Sequence, residues 1–119
     1  MSSPPLVAVV DDDESVRESL PDLLRILGYE AQSFSSAEEF LASQIVTRTR
    51  SLVLDIAMPG MSGPDLVAEL TRLGHSIPIV FITAHRDAGI RALSKGAVAC
   101  LFKPFSDTEL ADALESAIQ

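Results

Sequence analysis

Leu6–Arg17, LVAVVDDDESVR, decides the fold class. Its first five residues are apolar without alternation and rich in β-branched side chains, which reads as a strand buried on both faces. The strand stops abruptly at a run of acids. The same grammar returns at Ser51–Asp55, SLVLD, where an apolar run again ends in an acid. There the loop Met58–Gly63, MPGMSG, follows, and Pro64 suits the first turn of a helix carrying Leu66, Val67 and Leu70.

Working outward, Val16, Leu20, Leu23, Leu24 and Leu27 recur at helical spacing, with Gly28 as the stop. Pro21 opposes that helix at a cost of about 3 kcal/mol. Because the apolar stripe stays in phase on both sides of it, one kinked helix is still expected. Glu30–Phe34 alternates as a short strand would, and Ser35 or Ser36 can cap a helix through Phe40 and Leu41, with Glu38 and Glu39 in its first turn. Ile77–Thr83, IPIVFIT, is the clearest strand, and Pro78 is tolerable near its start. Arg86–Lys95 reads as a short helix weakened by Gly89 and ended by Gly96. Ala99–Phe102 is a short strand, after which Asp107 is expected to cap a closing helix through Leu110, Leu114 and Ile118. Five βα units in succession predict an α/β fold with a single doubly wound, five-stranded parallel sheet. Functional groups on such a sheet gather at the carboxyl ends of the strands.

Composition narrows the function. At 119 residues the chain has room for one core, and with 47% hydrophobic residues it has the apolar surface to fill it. A net charge of -8 opposes direct binding to a phosphate backbone. One cysteine supports no internal disulfide, and the N-terminus MSSPPL lacks the charged and apolar regions of a secretory signal, so a cytoplasmic location is expected. No apolar run approaches the ~20 residues of a membrane span. With no Trp and one Tyr, flat cofactors or bases would find little to stack on.

Asp11, Asp12, Asp55, Thr83 and Lys103 each follow or end an apolar strand. A parallel sheet brings all five to one rim. Three carboxylates held together repel unless a cation neutralises them, and oxygen ligands without paired His or Cys favour magnesium over zinc. Asp13 reads as a solvated first-turn acid or a helix cap and not as a ligand. His75 is expected to face solvent, and Cys100 to be a small hydrophobe inside its strand.

In this order, VVDDDESVR, LDIAMPGMSG, FITAH and KPF resemble the receiver domains of bacterial two-component response regulators over Leu6–Ile118. The wording is most similar to receivers of nitrogen-fixation and LuxR-type transcriptional regulators. The resemblance implies a flavodoxin-like (βα)5 fold with strand order 2-1-3-4-5, and one receiver domain over residues 1–119 with no output domain within the chain. It implies that Asp55 accepts a phosphoryl group from a sensor histidine kinase or phosphotransfer protein. Mg²⁺, with Mn²⁺ as a substitute, would be held by Asp12, Asp55 and the Ala57 carbonyl, and by Asp11 through water. Lys103 and Thr83 would meet the phosphoryl oxygens, and the Lys103–Pro104 peptide would be cis. Thr83, His85 and Cys100 would carry the signal outward, toward a phosphorylation-dependent homodimer and transcriptional control through a DNA-binding domain. Many receivers place an aromatic ring where this chain has Cys100, so a shift of the His85–Gly96 segment is expected in place of a ring flip. The alternatives are a single-domain phosphorelay intermediate or partner-binding regulator and, remotely, a Mg²⁺-dependent aspartyl-phosphate phosphatase of the haloacid dehalogenase type. The latter usually carries a second acid two residues after its nucleophile, where this chain has Ala57.

Overall fold

The computed structural model describes residues 3–84 and 96–118. Five strands, β1 (Leu6–Val10), β2 (Glu30–Phe34), β3 (Thr49–Asp55), β4 (Ile79–Thr83) and β5 (Ala99–Phe102), form one sheet in the order β2-β1-β3-β4-β5. Every pairing is parallel, as the sequence predicts. Helices α1 (Glu14–Ile26), α2 (Ala37–Leu41), α3 (Gly63–Arg72) and α4 (Asp107–Ile118) connect or close it. The expected helix over Arg86–Lys95, with Gly89, lies outside the described residues.

The unbroken apolar strands are explained by two cores. Leu6, Ala8 and Val10 of β1, Leu52 and Leu54 of β3, and Ile79 and Phe81 of β4 point to one face, where they meet Phe40 of α2 and Leu66 and Leu70 of α3. The residues between them, Val7, Val9, Val53, Val80 and Ile82, point to the other face against Leu20 and Leu24 of α1 and Leu110 and Leu114 of α4. Period-two alternation thus sends successive apolar side chains into opposite cores. Each large side chain buried this way contributes about 1.5–3 kcal/mol relative to exposure.

That burial decides the conflict at Pro21. The helix α1 runs through it, with Leu20, Pro21 and Leu24 buried in a continuous stripe, so the apolar contacts outweigh the missing backbone donor. Gly28 ends the turn after α1 with φ +99, a conformation costly for other residues.

Four details differ from the sequence expectation. β3 begins at Thr49, ahead of Ser51, because a single 3-10 turn over Val46–Arg48 delivers the chain to the sheet and the Thr49 hydroxyl donates to the Ile45 carbonyl at 2.8 Å. The register jumps from Leu6–Thr49 to Val7–Ser51, so Arg50 is an extra, unpaired residue that hides the strand start from any pattern of alternation. β4 begins at Ile79; Pro78 lends only its carbonyl, which accepts from the Leu52 amide at 3.0 Å. Ser106, and not Asp107, caps α4: its hydroxyl accepts from the Glu109 amide at 3.0 Å while the Glu109 carboxylate accepts from the Ser106 amide at 3.1 Å. This reciprocal pair satisfies two otherwise orphaned donors, leaving Asp107 in the first turn. Finally, His75, expected to face solvent, is half-buried after α3, its amide donating to the Leu70 carbonyl at 2.9 Å.

Candidate functional site

Asp11 follows β1 directly, and all its groups are engaged. Its amide donates to the Phe34 carbonyl at 3.1 Å, and its own carbonyl accepts from the Arg17 guanidinium at 3.0 Å. Of its carboxylate oxygens, Oδ1 accepts from the Asp13 amide at 2.9 Å and Oδ2 from Lys103 Nζ at 2.7 Å. The residue is fully buried. Asp12 is exposed beside it. Asp13 caps α1, accepting from both the amide and the hydroxyl of Ser15, and these bonds hold its carboxyl below the ordinary carboxylate range. Its reading as a cap holds.

Asp55 is the last residue of β3 and is buried. Oδ1 accepts from the Ala57 amide at 3.3 Å, whereas Oδ2 lies 3.7 Å from Lys103 Nζ, a looser contact. The ligand oxygens of Asp11, Asp12 and Asp55 lie within 4.8 Å of one another. Burial, followed by the charge of Asp11, pushes the Asp55 carboxyl up to about 7, against the opposing pull of Lys103. Burial also works to lower the Lys103 pKa, yet its bond to Asp11 and the charges of Asp55, Asp11 and Asp13 outweigh that and hold the ammonium above its ordinary value.

Lys103 follows β5 and reaches the acids because its amide is tied to the Thr83 carbonyl at 2.8 Å and the sheet register seats Thr83 beside Phe102. Thr83 is buried at the end of β4, one residue beyond Ile82, the partner of Asp55. The Lys103–Pro104 peptide is cis. Ala57 is exposed on the loop after Asp55. Cys100 is half-buried, paired with Phe81 and packed on the core shared with α2 and α3, three residues back along β5 from Lys103. His85 lies outside the described residues.

Three clustered carboxylates, two of them against the Lys103 ammonium, form an oxygen-only donor set that fits a hard divalent cation. Two supporting residues escape the sequence reading. Arg17 reaches back along its own helix to the Asp11 carbonyl, and its place after a run of acids was the available signal. Glu38 accepts from the Met61 amide at 3.2 Å across 23 residues of sequence, for which no local signal exists.

Comparison with known proteins gives one answer. Residues 7–115 match the family model described as response regulator receiver domain. Nodulation protein W of Bradyrhizobium diazoefficiens is 48% identical over 120 residues, covering 99% of this chain and 53% of that protein. The transcriptional regulatory protein FixJ of Rhizobium meliloti is 42% identical over 113 residues, covering 93% of this chain and 55% of its own. Among solved structures, the response regulator StyR superposes with a TM-score of 0.87 at 48% identity, over 98% of this chain and 60% of that one. The chain therefore spans about half the length of the curated relatives it matches.

Proposed function

This chain belongs to the response regulator receiver domain family, and from that premise we propose that Asp55 accepts a phosphoryl group from a phosphohistidine on a sensor histidine kinase or phosphotransfer protein. One observation selects Asp55 among the three acids. Asp11 has both oxygens committed at 2.9 and 2.7 Å, and Asp12 is exposed, whereas Asp55 is buried at the end of β3 with its Oδ2 standing 3.7 Å from the Lys103 ammonium. Attack by Asp55 forms the O–P bond as the P–N bond to imidazole breaks, and the electron pair returns to the imidazole nitrogen.

Mg²⁺, for which Mn²⁺ would substitute, suits this donor set, with Asp12, Asp55 and the Ala57 carbonyl as direct ligands and Asp11 acting through water. Bound there it supplies positive charge that brings an anionic donor to an anionic nucleophile. Lys103 adds to that charge, since its ammonium already faces Asp55 and would pair with the phosphoryl oxygens. The Thr83 hydroxyl would donate to one of them and so report the event to its surroundings.

Receivers are signalling switches, and the relatives include transcriptional regulators. We read the output of this chain as transcription control through a DNA-binding region outside these residues, with a single-domain phosphorelay role as the alternative. A groove beside the site, lined by Val16, Leu20, Leu23 and Phe105 together with Asp13, Asp107 and Lys103, offers the phosphodonor a largely apolar landing surface. Among the described residues no helix is long and apolar enough to cross a membrane. A phosphatase of the haloacid dehalogenase type gains no support, since buried Ile56 and exposed Ala57 follow Asp55 and neither is an acid. The test is incubation with acetyl phosphate and Mg²⁺ followed by intact mass measurement. One added phosphoryl group is expected, with none in Asp55→Asn; undiminished uptake by that variant would refute the assignment.

A further inference from the structure

Glu38 and Glu39 sit side by side in the first turn of α2 but serve different ends. Glu39 folds back on its own helix terminus, accepting from the Ser35 amide and hydroxyl, each at 3.2 Å, while its amide donates to the Ser36 hydroxyl at 3.0 Å. Glu38 turns outward, to the loop that follows Asp55. Its Oε2 accepts from the Met61 amide at 3.2 Å.

Gly60 makes that approach possible in two ways. Its φ of +74 suits the bend, and a Cβ at this position would stand 2.9 Å from Glu38 Oε2. The glycine and the carboxylate are fitted to each other. Three further amides around the loop are held: Ala57 donates to Asp55 Oδ1 at 3.3 Å, Ser62 to Asp65 Oδ2 at 3.1 Å, and Gly63 to the Ile56 carbonyl at 2.9 Å. Met58 and Met61 pack inward against the core. The loop is thus tied at its base, packed from beneath, and strapped from outside by a side chain of α2.

We infer that Glu38 is a positioning residue for phosphoryl transfer at Asp55: by accepting from Met61 it holds the 57–61 loop in the shape that keeps the Ala57 peptide against the Asp55 carboxylate. This rests on the proposed role of Asp55. The strap acts, through Met61, on the loop that carries Ala57, the residue that orients the nucleophile and, under that reading, lends its carbonyl to the metal. A small displacement of such a peptide is felt at the reacting atoms. An ionised acceptor is the stronger partner for a backbone amide, but the geometry requires only an oxygen.

The experiment compares wild type, Glu38→Ala and Glu38→Gln over the full chain. Backbone amide exchange without Mg²⁺ should quicken at Met61 and Ala57 in Glu38→Ala. Phosphorylation by acetyl phosphate at saturating Mg²⁺ should slow by about 3- to 10-fold, as the loss of one such hydrogen bond implies. Glu38→Gln, which keeps an acceptor oxygen, should recover most of the rate, and similar melting temperatures would separate this effect from misfolding. Phosphorylation of Glu38→Ala at the wild-type rate would overturn the role of Glu38 while leaving that of Asp55 intact. Equal loss in Glu38→Ala and Glu38→Gln would also overturn it. A wild-type protein that takes up no phosphoryl group would overturn the reading of Asp55, and this inference with it.

Discussion

Replacing Asp55 with Asn should stabilise the metal-free protein, and the gain should grow as pH rises. Asp55 is buried beside Asp11, so its carboxyl sits at about 7 in the native state against an ordinary 3.8. A native pKa raised in this way means the folded protein holds a proton that the unfolded chain has already released. The associated stability is complete below the unfolded pKa and is lost as pH climbs through the native one. Carried through in full, this displacement costs the native state on the order of 4 kcal/mol above pH 7, more than half of it between pH 5 and pH 8. The side chain keeps 10% exposure at the rim of the sheet, and water there softens the penalty, so a widening on the order of 1–2 kcal/mol is expected. Asn keeps an acceptor for the Ala57 amide, and Lys103 retains its 2.7 Å bond to Asp11, so little else is lost. The assay is urea unfolding of both proteins in chelator at pH 5 and pH 8, reading the difference between them at each pH. A difference unchanged across that interval, or an Asn variant less stable than wild type at pH 8, would refute the electrostatic account of the site.

Mg²⁺ should raise the melting temperature of wild type at pH 8 and much less that of Asp12→Ala, because a cation that relieves the three-acid repulsion binds only the folded state; equal shifts would put the ion elsewhere. Gly63→Ala should destabilise by about 2–3 kcal/mol or more, since the new Cβ would lie 2.4 Å from the Asp55 carbonyl and 3.1 Å from the Phe81 ring, and backbone cannot yield as a side chain can. A melting temperature within about 1 °C of wild type would show that α3 shifts freely, against the packing described.

The sheet and the candidate site were legible for one reason. Buried parallel strands must be apolar on both faces, so each announces itself as an unbroken run, and the polar residue that ends a run marks the rim where chemistry collects. Asp11, Asp12, Asp55, Thr83 and Lys103 were found that way. Strand starts were less visible: the extra residue at Arg50 breaks the pairing just where β3 begins, and a one-residue insertion leaves no hydrophobic signature. The choice between Ser106 and Asp107 as the cap of α4 was equally open, because both residue types cap and only the reach of Glu109 separates them.

By itself, then, the order of residues determined which segments are strands, which ends carry acids, and that a cation would be wanted among them. Those features follow from local composition and the period of burial. Only the tertiary structure decided which contacts each acid makes. Asp11 accepts from Lys103 at 2.7 Å while Asp55 stands 3.7 Å from the same ammonium, which lies 92 and 48 positions away in the chain, respectively. The strap from Glu38 to Met61 belongs to the same class. A hydrogen bond between segments remote in sequence depends on where the packed helices place both ends, and nothing local to either residue encodes the other.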